Sequence, residues 1–222
     1  MKIYYTGKVG TDYCSILLYG MAGAGKTPIL ATLPDPIIVS SEPGLLSLKS
    51  SNLPYVVARD YRESIDVCKW LAESAETRKY KSVGWDSISA CSENILEARK
   101  KISRDPRKFS PETTAETMEV VKKALEIPGK HIVMTCKAMI NPESKIVEPF
   151  AVVPKLGPAL PYHFDNVLFL KRWRDAASGA EFTGLMCREN EQAISCRNRL
   201  GNLELWEPPD LGALIRKIYG VQ

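Results

Sequence analysis

Apolar positions along this chain gather into short unbroken runs, separated by turn residues and by longer stretches of helical spacing. Ser15–Tyr19, Ile37–Ser41, Pro54–Ala58, Tyr80–Trp85 and His131–Cys136 are such runs. Unbroken runs without polar alternation predict strands buried on both faces, the signature of a parallel sheet. Between them, Ile65, Cys68, Trp70, Leu71 and Ala75 recur at helical spacing from Arg62 to Thr77. Ile88, Cys91, Ile95, Leu96 and Ile102 mark a long helix. Ser110-Pro111 reads as a cap and first-turn proline of a further helix running through Met118, Val121 and Leu125 to Pro128-Gly129. Residues 1–14 predict a strand or hairpin turning at Gly7 and Gly10. Residues 137–164, with Pro142, Pro149, Pro154, Pro158 and Pro161, read as a long proline-rich loop. Asn166–Leu170, Glu181–Cys187 and Gln192–Arg197 predict strands, the last two as a hairpin, and Asp210 caps a final helix. The pattern is that of one α/β domain over residues 1–222, a mainly parallel central sheet flanked by helices and extended by a C-terminal antiparallel hairpin.

With 45% hydrophobic residues the 222-residue chain can fill a full core. Its net charge of +4 permits a nucleic-acid partner without requiring one. No apolar run is long enough to span a bilayer, and Met1–Tyr5 lacks the stretch of a signal peptide, so a cytoplasmic protein without membrane attachment is expected. The six cysteines form no C-x-x-C and do not cluster with the two histidines, which speaks against zinc and disulfides and for small buried residues.

One segment carries chemistry. Gly20-Met21-Ala22-Gly23-Ala24-Gly25-Lys26-Thr27 fits G-x-x-x-x-G-K-[ST] between a strand and a helix that starts around Pro28. Such a match arises by chance in roughly one chain in a hundred of this length, and the flanking elements lower that further. A triphosphate needs a ring of backbone N–H donors, and glycines let the chain turn tightly enough to present them. Lys26 would reach the β/γ-phosphates of ATP, and the Thr27 hydroxyl would hold Mg²⁺. Pro28 departs from the pattern, because it lacks the N–H that would face the α-phosphate.

Phosphate binding alone does not hydrolyse. Asp86, ending the strand Val83-Gly84-Trp85, is placed to orient a water on Mg²⁺; otherwise it only caps a helix. Glu42 ends the second strand, at the sheet edge where ligands bind in open α/β folds, and is a general base by position. Its plainer role is a turn residue before Pro43-Gly44.

These motifs, in this order, resemble the RecA-like ATPase core, and more closely the short phage RecA-like single-strand annealing proteins. The likeness lies in Leu18–Thr27, Ser41–Leu45, Trp85–Ser87 and Arg197-Asn198-Arg199-Leu200-Gly201. It implies an ATPase acting on single-stranded DNA in phage recombination or annealing, in the host cytoplasm. Self-association into a ring or filament follows from it, with a single-strand binding protein as a further partner. It also implies that Arg197 and Arg199 enter a neighbour's nucleotide site, where a guanidinium neutralises developing charge; alternatively they form a solvated pair. The class usually ends its fifth strand with a polar amide, where this chain has Lys137, which either contacts phosphate or points into solvent.

Through the resemblance, Arg99, Lys100, Lys101, Arg104, Arg107, Lys108 and the 137–164 loop fall where DNA is contacted. Phe109, Phe150 and Tyr162 are available for stacking, while Asp105, Glu143 and Glu148 dilute the positive field. The large appendages of bacterial recombinases are absent, so annealing is favoured over strand exchange. Two other readings stay open: a nucleotide-dependent module that regulates a replication or recombination partner with little hydrolysis, and a small-molecule kinase.

Overall fold

The computed structural model describes residues 13–174, 179–189 and 195–219. Its first strand, β1 (Ser15–Gly20), runs straight into the glycine-rich turn. That turn leads to the short helix α1 (Lys26–Ile29) and a 3₁₀ turn at Leu30–Thr32. The strands β2 (Pro36–Ser40), β3 (Tyr55–Val57), β4 (Ser82–Asp86) and β5 (His131–Ile140) follow. They alternate with the helices α2 (Tyr61–Glu73), α3 (Ile88–Ile102) and α4 (Pro106–Leu125). Then come β6 (Val147–Phe150), α5 (Leu156–Ala159), β7 (Asn166–Arg174), β8 (Glu181–Met186), β9 (Arg197–Asn198), β10 (Trp206–Glu207) and α6 (Leu211–Tyr219).

The strands form one sheet in the order β10-β8-β7-β1-β5-β4-β2-β3. From β7 to β3 every neighbouring pair is parallel. Helices cover both faces, which explains the unbroken apolar runs. In β1, Leu17 and Tyr19 face the core under α2, α3 and α4, with Leu71, Ile95, Val120 and Val121. Ile16 and Leu18 face the opposite core with Leu30, Leu211, Leu214 and Ile215. A strand buried on both sides cannot show alternation, because both sets of side chains lose water contact.

Several expectations are corrected. Glu181–Met186 does pair antiparallel, with β7, by the register Phe169↔Met186 to Arg174↔Glu181. Arg197–Asn198 instead pairs with the start of β7, and residues 192–194 lie outside the described segments. The predicted loop at 137–164 is largely structured. β5 runs on to Ile140 and folds back antiparallel on β6, from Lys137↔Phe150 to Ile140↔Val147, followed by α5 and a 3₁₀ turn at Leu160–His163. Pro149 is tolerated there because β6 pairs only with β5, so the missing N–H falls on a free edge. Helix α4 starts a turn before Ser110-Pro111: Asp105 accepts from the Arg107 N–H, Pro106 fills the first position, and Pro111 lies inside the helix. Of the predicted N-terminal strand or hairpin, residues 1–12 lie outside the described segments.

Helices α3 and α4 form an antiparallel pair. The Arg99 guanidinium is paired with Glu116, and it reaches Glu112 at 3.3 Å. Helix α3 packs against the carboxyl end of β2, where Asn94 Nδ2 donates to the Ser41 carbonyl at 2.8 Å. The carboxyl end of α4 leads to β5 at the opposite edge, so the 99–108 tip stands beyond the carboxyl edge.

Candidate functional site

The cleft lies where β1, β2, β4 and β5 present their carboxyl ends. Gly20 closes β1 against β7: a Cβ added there would stand 2.7 Å from the Leu170 carbonyl oxygen, so only glycine fits. Gly23 and Gly25 take the left-handed conformation, with φ of 76° and 98°. This turns the N–H groups of Gly23, Gly25, Lys26 and Thr27 away from backbone acceptors, and among the described residues none of the four makes a backbone hydrogen bond. Unpaired amides around a positive-φ turn, joined to a helix start, form an anion-binding concavity. Pro28, third in α1, adds no donor and leaves the helix intact, since that N–H would have no intrahelical partner.

Lys26 extends back along this turn, its Nζ donating to the carbonyls of Gly20 at 2.8 Å and Met21 at 2.9 Å. Burial pulls its pKa below the ordinary lysine value, while Asp86 and Glu42 oppose that shift. Thr27 Oγ1 donates to Asp86 Oδ2 at 2.7 Å, and the Thr135 hydroxyl donates to Asp86 Oδ1 at 2.6 Å. Asp86 is buried, and these two hydroxyls hold its carboxylate in place. The bond between Asp86 and Ser87 is cis.

Glu42 reaches the same cleft from the end of β2. Its Oε1 accepts from the Ser87 hydroxyl at 3.2 Å, and its backbone carbonyl accepts from Ser40 Oγ at 2.7 Å. The buried Trp85 steadies this loop from below through Nε1, which donates to Ser41 Oγ at 2.9 Å. Lys137 also lines the cleft, its Nζ donating to both Glu93 carboxylate oxygens at 2.7 and 2.8 Å. The cavity of about 570 Å³ is bounded by Met21–Gly23, Gly25–Pro28, Glu42, Ser47, Asp86, Ser87, Lys137 and Ala138.

The donor set fits a magnesium–nucleotide. Amides and Lys26 suit phosphate oxygens, and the hydroxyl–carboxylate pair Thr27 and Asp86 offers hard oxygen ligands, directly or through water. Sequence reasoning gave no role to Thr135, Ser87 or Glu93, which orient the charged groups. Thr135 sits two residues before Lys137 on the same strand, so the strand period alone brings it to the same side.

Arg197 and Arg199 lie away from this cleft, at the amino ends of the strands. Arg197 pairs in register with Val167, near the start of β7. Its guanidinium donates to the carbonyls of Pro161 at 2.8 Å and Phe164 at 2.7 Å. Arg199 is half exposed and pairs with Asp165 at 3.0 Å. Neither reaches the nucleotide cleft of its own chain.

The basic segment is more neutral than its sequence suggests. Arg99 is matched by Glu112 and Glu116, Lys100 by Glu97 and Arg107 by Asp105. Lys101, Arg104 and Lys108 are exposed at the tip. Tyr162 is exposed, while Phe109 and Phe150 are half-buried.

A family model described as an AAA domain matches residues 12–200. The chain belongs to the AAA domain family. Its match spans the phosphate-binding turn, Glu42, Asp86 and Lys137. Among solved structures, a KaiC-like protein from the archaeon Pyrococcus horikoshii OT3 superposes with a TM-score of 0.50 at 12% identity, covering 78% of each chain. The flagellar accessory protein FlaH from Methanocaldococcus jannaschii gives a TM-score of 0.47 at 14% identity, covering 87% of this chain and 83% of that one. The first likeness agrees with the RecA-like fold. No curated protein sequence matches the chain. This AAA domain is thus a nucleotide-binding P-loop domain of the ATPase type. No helix among its described residues is long and apolar enough to cross a membrane.

Proposed function

We propose that this AAA domain binds magnesium–ATP, hydrolyses it, and acts on single-stranded DNA in recombination or annealing. The observation that carries the hydrolytic part is the convergence of Lys26, Thr27, Asp86 and Glu42 on one cleft from three separate segments, the start of α1 and the ends of β4 and β2. Magnesium, when bound, supplies charge neutralisation for the phosphates. Asp86 is held in place by the Thr27 and Thr135 hydroxyls, positioned to accept from a metal-bound water or to face the metal. Ser87 holds one oxygen of Glu42, which leaves the other to accept a proton from an attacking water. Lys26 exchanges its two carbonyl acceptors for phosphate oxygens, a stronger charge-assisted pairing.

The DNA part rests on the resemblance of the sequence and on the cations Lys101, Arg104 and Lys108 at the exposed tip. Self-association into a ring or filament belongs to the same reading, with the half-exposed Arg199 as the residue that serves a neighbour's cleft. Arg197 is committed to two carbonyls within its own chain and is better read as structural.

Steady-state ATP turnover with and without single-stranded DNA tests the proposal. Magnesium-dependent turnover that rises with DNA supports it. Binding without turnover would favour a nucleotide-dependent module that regulates a partner, and ADP formation that requires a small acceptor would favour a kinase.

A further inference from the structure

The loop that carries Glu42 walls a second cavity. On its outer side lies a groove of about 720 Å³ lined by Ser40–Leu46, Lys49, Tyr55, Val57, Arg59 and Asn94. A smaller hollow of about 170 Å³ continues it past Lys49 and Tyr55 to Asn52 and Leu53. The groove therefore runs along the edge strand β3 and ends at the residue proposed as general base.

Its chemistry is specific. The Tyr55 ring is 60% exposed and stacks on no other ring among the described residues, and Leu46, which lines the same groove, is 81% exposed. The Lys49 and Arg59 side chains, one from the 3₁₀ turn at Leu45–Ser51 and one just after β3, are exposed and have no ion pair among the described residues. Elsewhere Arg99, Lys123, Lys137 and Lys217 are matched by carboxylates. An open aromatic face sharing one groove with two exposed cations suits a flat ring carried on an anionic backbone. A peptide strand added to β3 would suit it less, because β3 spans only Tyr55–Val57 and follows Pro54, which has no N–H to offer.

We propose that this groove binds single-stranded DNA, a base stacking on Tyr55 and the flanking phosphates meeting Lys49 and Arg59. The proposal rests on the DNA part of the function above and gives it a location other than the α3–α4 tip. Glu42 lines both cavities, so a strand in the groove lies against the loop that holds the proposed base.

Fluorescence anisotropy with a labelled oligothymidylate of about 15 nucleotides tests this on the full chain. Tyr55→Ala should weaken binding about 10-fold, and Tyr55→Phe should not. Lys49→Ala with Arg59→Ala should lower the salt slope of binding by about 1.4, the share of two phosphate contacts on a single strand. Lys101→Ala with Arg104→Ala serves as the tip comparison, and a retained cooperative unfolding transition shows that each variant folds. Unchanged affinity in folded Tyr55→Ala, or a loss confined to the tip variant, would overturn the groove assignment while leaving DNA binding itself standing. Absence of oligonucleotide binding by the natural protein would overturn it together with the DNA part of the function, whereas ATP turnover separately decides the hydrolytic part. Capture of an extended peptide that Tyr55→Ala abolishes, without oligonucleotide binding, would overturn it in favour of a protein partner.

Discussion

Thr27 Oγ1 and Asp86 Oδ2 lie 2.7 Å apart, although 59 residues separate them in the chain. The contact joins the first turn of α1 to the end of β4, two strands away in the sheet. It marks the spot where a cation between phosphate and protein would sit. Asp86→Asn keeps the side-chain shape but removes the charge, so magnesium-dependent ATP affinity should fall about 10- to 100-fold. Titrations in magnesium and in EDTA should differ for the natural protein and scarcely differ for the variant.

Glu42→Gln should leave ATP affinity in place and lower turnover by about 100- to 10,000-fold, the usual contribution of a positioned base. Single-turnover kinetics on preformed complexes separates the two quantities. Turnover equal to that of the natural protein would remove Glu42 from the chemistry.

Pro28→Ser restores the backbone N–H missing from the third position of α1. One added hydrogen bond to a charged oxygen is worth about 1.5–3 kcal/mol, so nucleotide affinity should rise about 10-fold or more. The gain should be similar for ATP and ADP, because both carry the α-phosphate that this N–H would face.

The parts of the site that were legible in the sequence are those with fixed local spacing. Gly20–Thr27 stands in one unbroken motif, and Asp86 and Glu42 each end an apolar run at a strand terminus. Residues that orient them were not, because Thr135, Ser87 and Glu93 act through contacts made only after the sheet assembles. The same holds for the fold. The parallel core could be read from its runs, but the pairing of β8 with β7 and the fold-back of β6 on β5 depend on long-range register. Prolines masked β6, since Pro149 is compatible with a strand only when the free edge faces away from the ladder. Ser110-Pro111 looked like a helix start because Asp105-Pro106, one turn earlier, carries the same kind of signal.

All six cysteines are free and buried. Burial pushes the thiols of Cys14 and Cys68 up to about 12, and those of Cys91, Cys136 and Cys196 to about 11, from an ordinary value near 9. Above pH 9 the unfolded chain loses these protons while the folded chain keeps them, so the unfolded state binds fewer protons and stability falls as pH rises. Each such thiol contributes a slope of up to about 1.4 kcal/mol per pH unit, which ends as pH passes the folded value. Below pH 9 the thiols add no pH dependence. Urea unfolding between pH 8 and 11 should show the decline, and a thiol reagent at pH 8 should modify the protein only once it unfolds.

The proposed seat of magnesium–ATP between Lys26, Thr27, Asp86 and Glu42 is tested most directly by thermal unfolding with ATP, in magnesium and in EDTA. At about 100 times the dissociation constant, bound ligand adds about 2.7 kcal/mol to stability. For a chain of this size that is an upward shift of about 5–10 °C, expected in magnesium and largely absent in EDTA or in Asp86→Asn. An unfolding temperature that stays the same with ATP, in magnesium and in EDTA alike, would contradict the account.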